Sequence, residues 1–167
     1  MYTSKDDSLC CFFKACDESG LSFFRRENMR KTIKLMEQWT FTGFDHVPTT
    51  IDLPHTWNNL DGQDGGNDYK RGTCIYEKKL AKPEFNDNQV VYLQFQGVNA
   101  SAKVIFNNEV LGEHHNGYST FRFDVTPLLK DENELRVEVD NSVNEKVYPQ
   151  TADFTFYGGI YRDVEWI

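Results

Sequence analysis

Residues 91–110 read VYLQFQGVNASAKVIFNNEV, and this stretch contains two alternating segments followed by a turn. Apolar side chains occupy every second position of each segment, namely Val91, Leu93 and Phe95, then Ala102, Val104 and Phe106. Because successive side chains of a β-strand point to opposite faces, this period predicts two half-buried strands. Asn tolerates a positive φ, so Asn107-Asn108 predicts a two-residue primed turn that closes a hairpin.

The chain from Trp39 onward shows the same organisation. Short apolar segments recur at intervals of roughly ten residues with turn residues between them, as expected of an all-β sandwich. The segment from Leu135 to Val139 repeats the alternation of apolar side chains. One short helical turn is predicted near residues 126–130, with Thr126 as its N-cap and Pro127 at the first helical position.

The length of the chain limits what it contains. Its 167 residues are enough for one well-buried domain and short for two. A (β/α)₈ barrel needs about 250 residues, so an activity that depends on such a barrel is excluded. Residues 1–30 lack a sustained period, and we expect them to form an N-terminal extension that is helical or irregular. The domain itself is predicted to cover residues 31–167.

The charge of the chain excludes some classes of partner. Its formal net charge is −8, from 26 acidic and 18 basic residues. Such a field repels phosphate backbones and anionic bilayers, so neither nucleic acid nor a membrane is expected as a partner. We find no apolar run near the roughly 20 residues of a membrane span and no secretory signal. We therefore expect a cytoplasmic protein with free thiols at Cys10, Cys11, Cys16 and Cys74.

Seven motifs follow one another along residues 36–167. They are LPHTWN (53–58), DGQDGG (61–66), YKRG (69–72) before Tyr76, GVNA (97–100), GEH (112–114) with GYS (117–119) and Phe121, VDNS (139–142), and DF (153–154) leading into YGGIYRDV (157–164). In this order they resemble the N-terminal domain of glycoside hydrolase family 2, and in particular the β-galactosidase branch of that family.

The resemblance implies a galactose-binding-like jelly-roll β-sandwich. In the family this domain packs against an immunoglobulin-like domain and a (β/α)₈ barrel, and both catalytic glutamates lie on the barrel. We therefore expect a non-catalytic, sugar-binding and buttressing domain of a β-galactosidase-like hydrolase of carbohydrate metabolism. Alone it is expected to be inactive and to need no cofactor. The parent enzyme is expected to be a homo-oligomer that binds sodium or magnesium.

Two residues are predicted to contact the sugar in the parent enzyme. Asp153 matches the family aspartate that reaches into the active site of the barrel, touches a galactose hydroxyl and helps to hold a sodium ion. A carboxylate suits both roles, because it accepts charge-assisted hydrogen bonds and is a hard oxygen ligand. Arg71, in the Arg-Gly turn, is expected on the same rim, with a structural salt bridge as the alternative.

Other conspicuous residues are interpreted as structural. Neighbouring residues of a strand point to opposite faces, so His114 and His115 are expected to be loop residues with ordinary partners rather than metal ligands. Arg162 and Asp163 are expected to form ion pairs near a sheet edge. The tryptophans are expected to pack in the core or against a neighbouring domain; they are Trp39, Trp57 and Trp166.

The sequence leaves three interpretations of the function open. The chain is a buttressing domain that lends Asp153 to a sugar site, an autonomous carbohydrate-binding module, or an interaction domain without sugar contact. An autonomous module needs a complete concave site lined by aromatic rings, whereas a buttress leaves half a site on a rim. The parent is a β-galactosidase, a β-glucuronidase or a β-mannosidase, because the pocket that discriminates between these sugars lies on the barrel.

Overall fold

The structure, a computed structural model, describes residues 30–61, 69–147 and 156–167. Within these ranges the strands are β1 (Ile33–Lys34), β2 (Trp39–Thr42), β3 (Pro48–Ile51), β4 (Thr73–Ala81), β5 (Tyr92–Phe95), β6 (Val98–Asn99), β7 (Ser101–Phe106), β8 (Glu109–His115), β9 (Phe121–Asp124), β10 (Glu132–Asp140), β11 (Gly159–Ile160) and β12 (Val164–Trp166). A single 3-10 turn of the described part covers Thr126–Leu128.

The strands form two main antiparallel sheets. The larger sheet has six strands in the order β3-β2-β4-β10-β7-β8, and the smaller has four in the order β1-β12-β5-β9. A third sheet consists of the short strands β6 and β11. The chain crosses between the two main sheets several times, for example from β4 to β5 and from β9 to β10. The all-β sandwich predicted from the sequence is confirmed.

The core lies between the two main sheets. All three predicted alternations are confirmed, because the apolar face of each segment is buried; these faces consist of Val91, Leu93 and Phe95, of Ala102, Val104 and Phe106, and of Leu135, Val137 and Val139. The ring of Phe106 on β7 meets Trp166 on β12 edge to face, with centroids 6.0 Å apart. This contact joins the larger sheet to the smaller one.

The hairpin turn between β7 and β8 has the predicted form. Asn107 has a φ of 51° and Asn108 a φ of 68°. Two consecutive residues with positive φ are the signature of a type I′ turn, whose twist matches that of the flanking strands.

The helical turn is present, but its predicted N-cap is wrong. Val125 occupies the N-cap position, and no side chain caps the turn. The hydroxyl of Thr126 instead accepts a hydrogen bond from the Val91 N–H at 2.9 Å. The carboxylate of Asp124 accepts the Thr126 N–H at 2.9 Å. Thr126 therefore ties the turn to the start of β5, and the Asp-Val-Thr turn before it takes the place of a cap.

The loop predicted around His114 and His115 is also wrong in part. Both residues belong to β8, which pairs with β7 through Ser101 opposite His115 and Ala102 opposite His114. The strand ends at His115, and the loop begins with the next residues, Asn116 and Gly117. None of the helical structure in the described part is long and apolar enough to cross a membrane.

Candidate functional site

Residues 156–161 run alongside residues 55–58, and this contact is the centre of the candidate site. The N–H of His55 donates to the carbonyl of Ile160 at 2.8 Å, and the N–H of Trp57 donates to the carbonyl of Gly158 at 3.2 Å. The two stretches lie about a hundred residues apart in the sequence. Their pairing brings the LPHTWN motif against the YGG motif.

Two glycines allow this close approach. A Cβ on Gly158 would lie 2.1 Å from the indole of Trp57, and one on Gly159 would lie 2.3 Å from the carbonyl oxygen of His55. Gly159 also has a φ of +141°, which residues with a side chain rarely adopt. Steric fit therefore explains why glycine occupies both positions.

The buried amide of Asn58 holds the same segment. Its Nδ2 donates to the Phe156 carbonyl at 3.2 Å, and its Oδ1 accepts the Gly158 N–H at 2.8 Å. The residue is fully buried. Main-chain groups that water does not reach are thereby satisfied, which a folded core requires.

A second buried amide, that of Asn141, joins this segment to the Arg-Gly turn. Its Oδ1 accepts the Gly72 N–H at 2.9 Å, and its Nδ2 lies 3.3 Å from the Lys70 carbonyl and 3.4 Å from the Phe156 carbonyl. The Asn141 N–H donates to the Gly72 carbonyl at 3.3 Å. The residue is 1% exposed. One side chain thus contacts both neighbours of Arg71 and, in addition, Phe156.

Arg71 lies at this junction and is half-buried. Its guanidinium carbon is 5.0 Å from the centroid of the Phe156 ring, which is a cation–π geometry. Phe156 itself is 4% exposed, so its ring presents a fixed apolar face to the guanidinium. The structure therefore places Arg71 against the start of the described segment 156–161.

Strand β6 and the loop that follows β8 also contact residues 157–161. Asn99 on β6 lies opposite Gly159 on β11. The Nδ2 of Asn99 donates to the Tyr157 carbonyl, and the Tyr161 hydroxyl donates to the Gly117 carbonyl. These contacts bring the GVNA and GYS motifs to the same place.

Asp61, the described residue of the DGQDGG motif, is linked to this cluster through the Arg-Gly turn. The carboxylate of Asp61 accepts the Lys70 N–H at 2.7 Å. A family model described as "Glycosyl hydrolase 2 galactose-binding domain-like" matches residues 59–157. The chain belongs to this family. Its sandwich is therefore a galactose-binding-like domain, as the motifs predict.

Relatives of this glycosyl hydrolase 2 domain are much longer proteins. A β-glucuronidase from Bacteroides fragilis is 42% identical over 142 residues, which is 81% of this chain and 20% of that protein. A β-galactosidase from Thermoanaerobacterium thermosulfurigenes is 31% identical over 81% of this chain and 21% of its own length. The chain therefore spans about a fifth of the length of these relatives.

Solved structures show the same relationship. The FMN-binding β-glucuronidase from Facaelibacterium prausnitzii L2-6 superposes with a TM-score of 0.76 at 40% identity, over 81% of this chain and 22% of that one. The β-glucuronidase of Bacteroides uniformis superposes with a TM-score of 0.71 at 35% identity, over 83% of this chain and 18% of that one.

The other predicted sugar ligand, Asp153, lies outside the described residues, as do residues 62–68 and residues 1–29. Its contacts with sugar and with sodium stay predictions. In the described ranges, no three His, Cys, Asp or Glu side chains are grouped so as to bind a metal ion.

The two neighbouring histidines have separate partners. The Nε2 of His114 lies 3.0 Å from the hydroxyl of Ser119, and its ring stacks on Phe121 with centroids 4.2 Å apart. Partial burial lowers the pKa of His114. The Nδ1 of His115 lies 3.1 Å from the hydroxyl of Ser101. The two imidazoles therefore contact different neighbours.

The three tryptophans have packing roles. Trp39 and Trp166 belong to the buried core. The ring of Trp57 stacks on Phe41 with centroids 6.4 Å apart, and its Nε1–H donates to the Lys70 carbonyl at 3.1 Å. Trp57 thereby supports the Arg-Gly turn.

Arg162 and Asp163 are both expected to form ion pairs. In the described part of the chain, Asp163 forms one and Arg162 does not. The carboxylate of Asp163 lies 2.6 Å from the Nζ of Lys34 on β1. The guanidinium of Arg162 instead lies over the ring of Tyr161, 5.3 Å from its centroid. Both contacts are structural, at the edge of the smaller sheet.

The structural role of two asparagines is not evident from the sequence. Asn58 and Asn141 are letters of motifs in the sequence, whereas in the structure their side chains hold the segments of the site together. A signal is present in the sequence of β10. The alternation that ends at Val139 places Asn141 on the buried face, where an amide needs tertiary partners.

Proposed function

We propose that this chain is the non-catalytic N-terminal domain of a family 2 β-glycosidase, and that it buttresses the catalytic barrel and lends Arg71 and Asp153 to the rim of the sugar site. The observation that carries the proposal is the convergence of five motifs on residues 156–161, which lead into and begin the YGGIYRDV motif. Amides, glycines, aromatic rings and one cation meet there, which suits positioning and binding. The relatives are hydrolases about five times as long, so the remaining chemistry has room elsewhere in the parent.

A β-glucuronide is the favoured substrate of the parent, and a β-galactoside is the second candidate. The relatives at 42% and 41% identity are named β-glucuronidase, and those at 34% and 31% are named β-galactosidase. A guanidinium on the rim suits both sugars, because it pairs with a carboxylate and also donates hydrogen bonds to hydroxyl groups.

An autonomous carbohydrate-binding module is less well supported. A cleft of about 390 Å³ is lined in part by Phe85, Tyr92, Arg122 and Trp166. The guanidinium of Arg122 already covers the Tyr92 ring, 4.9 Å from its centroid, and Trp166 is buried in the core. The Nζ of Lys82 likewise lies over the Phe85 ring, 5.4 Å from its centroid. The aromatic rings of this cleft therefore already have partners in the domain itself.

The test of the proposal is kinetic and uses the full-length enzyme that contains this domain. Asp153→Asn keeps the shape of the side chain but removes its charge. Since a hydrogen bond to a charged group contributes about 1.5 to 3 kcal/mol, kcat/KM for nitrophenyl β-glucuronide or β-galactoside should fall by roughly ten- to a hundredfold. Arg71→Ala should lower kcat/KM about tenfold, for the same reason.

Arg136→Ala is the matched control for the loss of an arginine. Arg136 lies on β10 and pairs with Glu77 at 3.6 Å and with Glu138 at 3.1 Å. Since these pairs are partly exposed, kcat/KM should change by less than about twofold. Unchanged kinetics in both Asp153→Asn and Arg71→Ala would refute the rim assignment. Loss of melting temperature in parallel with activity would make the two residues structural.

A further inference from the structure

Resting on the proposed function of Arg71, we propose that Phe156 is a positioning residue: it acts through Arg71 and fixes the pose in which the guanidinium meets the substrate. The geometry divides this task between two residues. Asn141 holds the main chain on both sides of Arg71, and the ring of Phe156 holds the end of the side chain. Asn141 also binds the Phe156 carbonyl, so both parts share one support.

The backbone of Arg71 has little freedom. Its preceding carbonyl, at Lys70, accepts the Asn141 amide at 3.3 Å and the indole N–H of Trp57 at 3.1 Å. Its following N–H, at Gly72, donates to the Asn141 Oδ1 at 2.9 Å. Fixing the main chain on both sides of one residue restricts the region that its side chain can reach.

The ring beneath the guanidinium is fixed as firmly. The Phe156 carbonyl accepts donors from Asn58 at 3.2 Å and from Asn141 at 3.4 Å. Tight contact between Gly158 and Trp57 sets the backbone two residues later. The ring is therefore a platform whose position does not depend on Arg71.

An arginine held in this way is prepared for binding. A free arginine side chain has four flexible torsions, and ordering them on binding costs free energy that a preorganised side chain has already lost in folding. A planar guanidinium donates hydrogen bonds along its edges, and the same group can lie with one face on an aromatic ring. The ring thus contributes to substrate binding without touching the substrate.

The experiment is a double-mutant cycle in the full-length enzyme with Arg71→Ala, Phe156→Leu and the double variant. Leucine fills much of the space of the ring but offers no π face. In the Arg71 background, Phe156→Leu should lower kcat/KM about three- to tenfold, mainly through KM, as expected from the loss of a partly desolvated cation–π contact. In the Arg71→Ala background the same change should alter kcat/KM by less than about twofold.

Phe106→Leu is the control for lost packing. Phe106 is fully buried in the core against Trp166, so it matches Phe156 in chemistry and burial. It should lower the melting temperature as much as Phe156→Leu or more, and it should leave KM unchanged.

The outcomes separate two kinds of failure. An equal effect of Phe156→Leu in both Arg71 backgrounds would overturn the positioning role and leave the rim assignment of Arg71 intact. No effect of Arg71→Ala on its own would overturn the rim assignment, and the positioning role with it. A raised KM in Phe106→Leu would show that the loss follows from packing, and would also overturn the positioning role.

Discussion

At the scale of single residues, the domain depends on amides that replace water at buried main-chain groups. The side chain of Asn141 contacts the buried carbonyl of Phe156 and two partly buried groups, the Lys70 carbonyl and the Gly72 N–H. Two of these groups have another partner, because the Lys70 carbonyl also accepts the Trp57 indole and the Phe156 carbonyl also accepts Asn58. The Gly72 N–H depends on Asn141 most.

Asn141→Ala should therefore destabilise the domain measurably. Loss of the amide leaves the partly buried Gly72 N–H without its side-chain acceptor and removes a partner of the buried Phe156 carbonyl, and an unsatisfied buried group costs about 1 to 3 kcal/mol. Denaturant unfolding of the isolated chain measures the change. Asn86→Ala replaces an exposed asparagine and should stay within about 0.5 kcal/mol of the unsubstituted chain. Equal effects of the two changes would contradict the role assigned to Asn141.

The contacts of Asn141 mark the limit of prediction from the sequence. Its partner Gly72 is 69 residues away, and no local propensity relates the two positions. The resemblance brings both into one family pattern, but the pattern does not state which atoms meet. Arg71 is found in the same way, as a motif residue, whereas the ring beneath it at Phe156 goes unnoticed.

At the scale of secondary-structure elements, the β7–β8 hairpin shows what a turn does beyond reversing the chain. The Asn107 side chain reaches out of the turn, and its Nδ2 donates to the Leu128 carbonyl at 2.8 Å and to Asn133 Oδ1 at 2.9 Å. Its Oδ1 accepts the Glu134 N–H at 2.9 Å. Asn108 next to it is exposed. The side chain of Asn107 thus forms tertiary hydrogen bonds, whereas Asn108 serves only the turn conformation.

Glycine substitutions separate the two roles. Both residues have positive φ, which glycine adopts without strain, so neither change disturbs the turn itself. Asn108→Gly should change the free energy of unfolding by less than about 0.5 kcal/mol. Asn107→Gly should cost about 1 to 3 kcal/mol, because the partly buried Leu128 carbonyl and the buried side chain of Asn133 each lose a partner. Thermal or denaturant unfolding of the isolated variants measures both, and equal losses would show that the turn conformation alone matters.

The elements differ in how far the sequence predicts them. The four- to nine-residue strands β5, β7 and β10 are predicted, because one buried face imposes a period of two over several residues. The two-residue strands β1, β6 and β11 are too short to show any period. The prediction that Thr126 is an N-cap is wrong because its hydroxyl accepts a hydrogen bond from the N–H of Val91, 35 residues away. Tertiary partners override local propensity at such positions.

At the scale of the whole molecule, the chain presents a candidate site made of positioning groups. Its motif residues converge at one place, and those that the structure describes there are mainly glycines, amides and aromatic rings held by main-chain contacts. A retaining glycosidase needs two carboxyl groups about 5 Å apart beside a sugar-sized cleft. In the proposed parent that pair lies on another domain, so this chain carries only one side of the sugar site.

The isolated chain is therefore expected to hydrolyse neither nitrophenyl β-glucuronide nor nitrophenyl β-galactoside, and to bind the free sugars weakly. Binding without groups that stabilise the transition state lowers no chemical barrier. A few hydrogen bonds to an exposed sugar barely exceed the cost of immobilising it, so Kd should be on the order of millimolar or weaker. Colour release measures the first expectation and titration calorimetry the second, with glucuronate and galactose as ligands.

Arg71→Ala in the same chain should leave this weak binding almost unchanged, because half a site gains little from one preorganised arginine. Turnover that persists through repurification from a host strain without its own glycosidases would contradict the proposed division between domains. Micromolar binding that Arg71→Ala abolishes would instead show that the site is complete within this chain, as in an autonomous binding module.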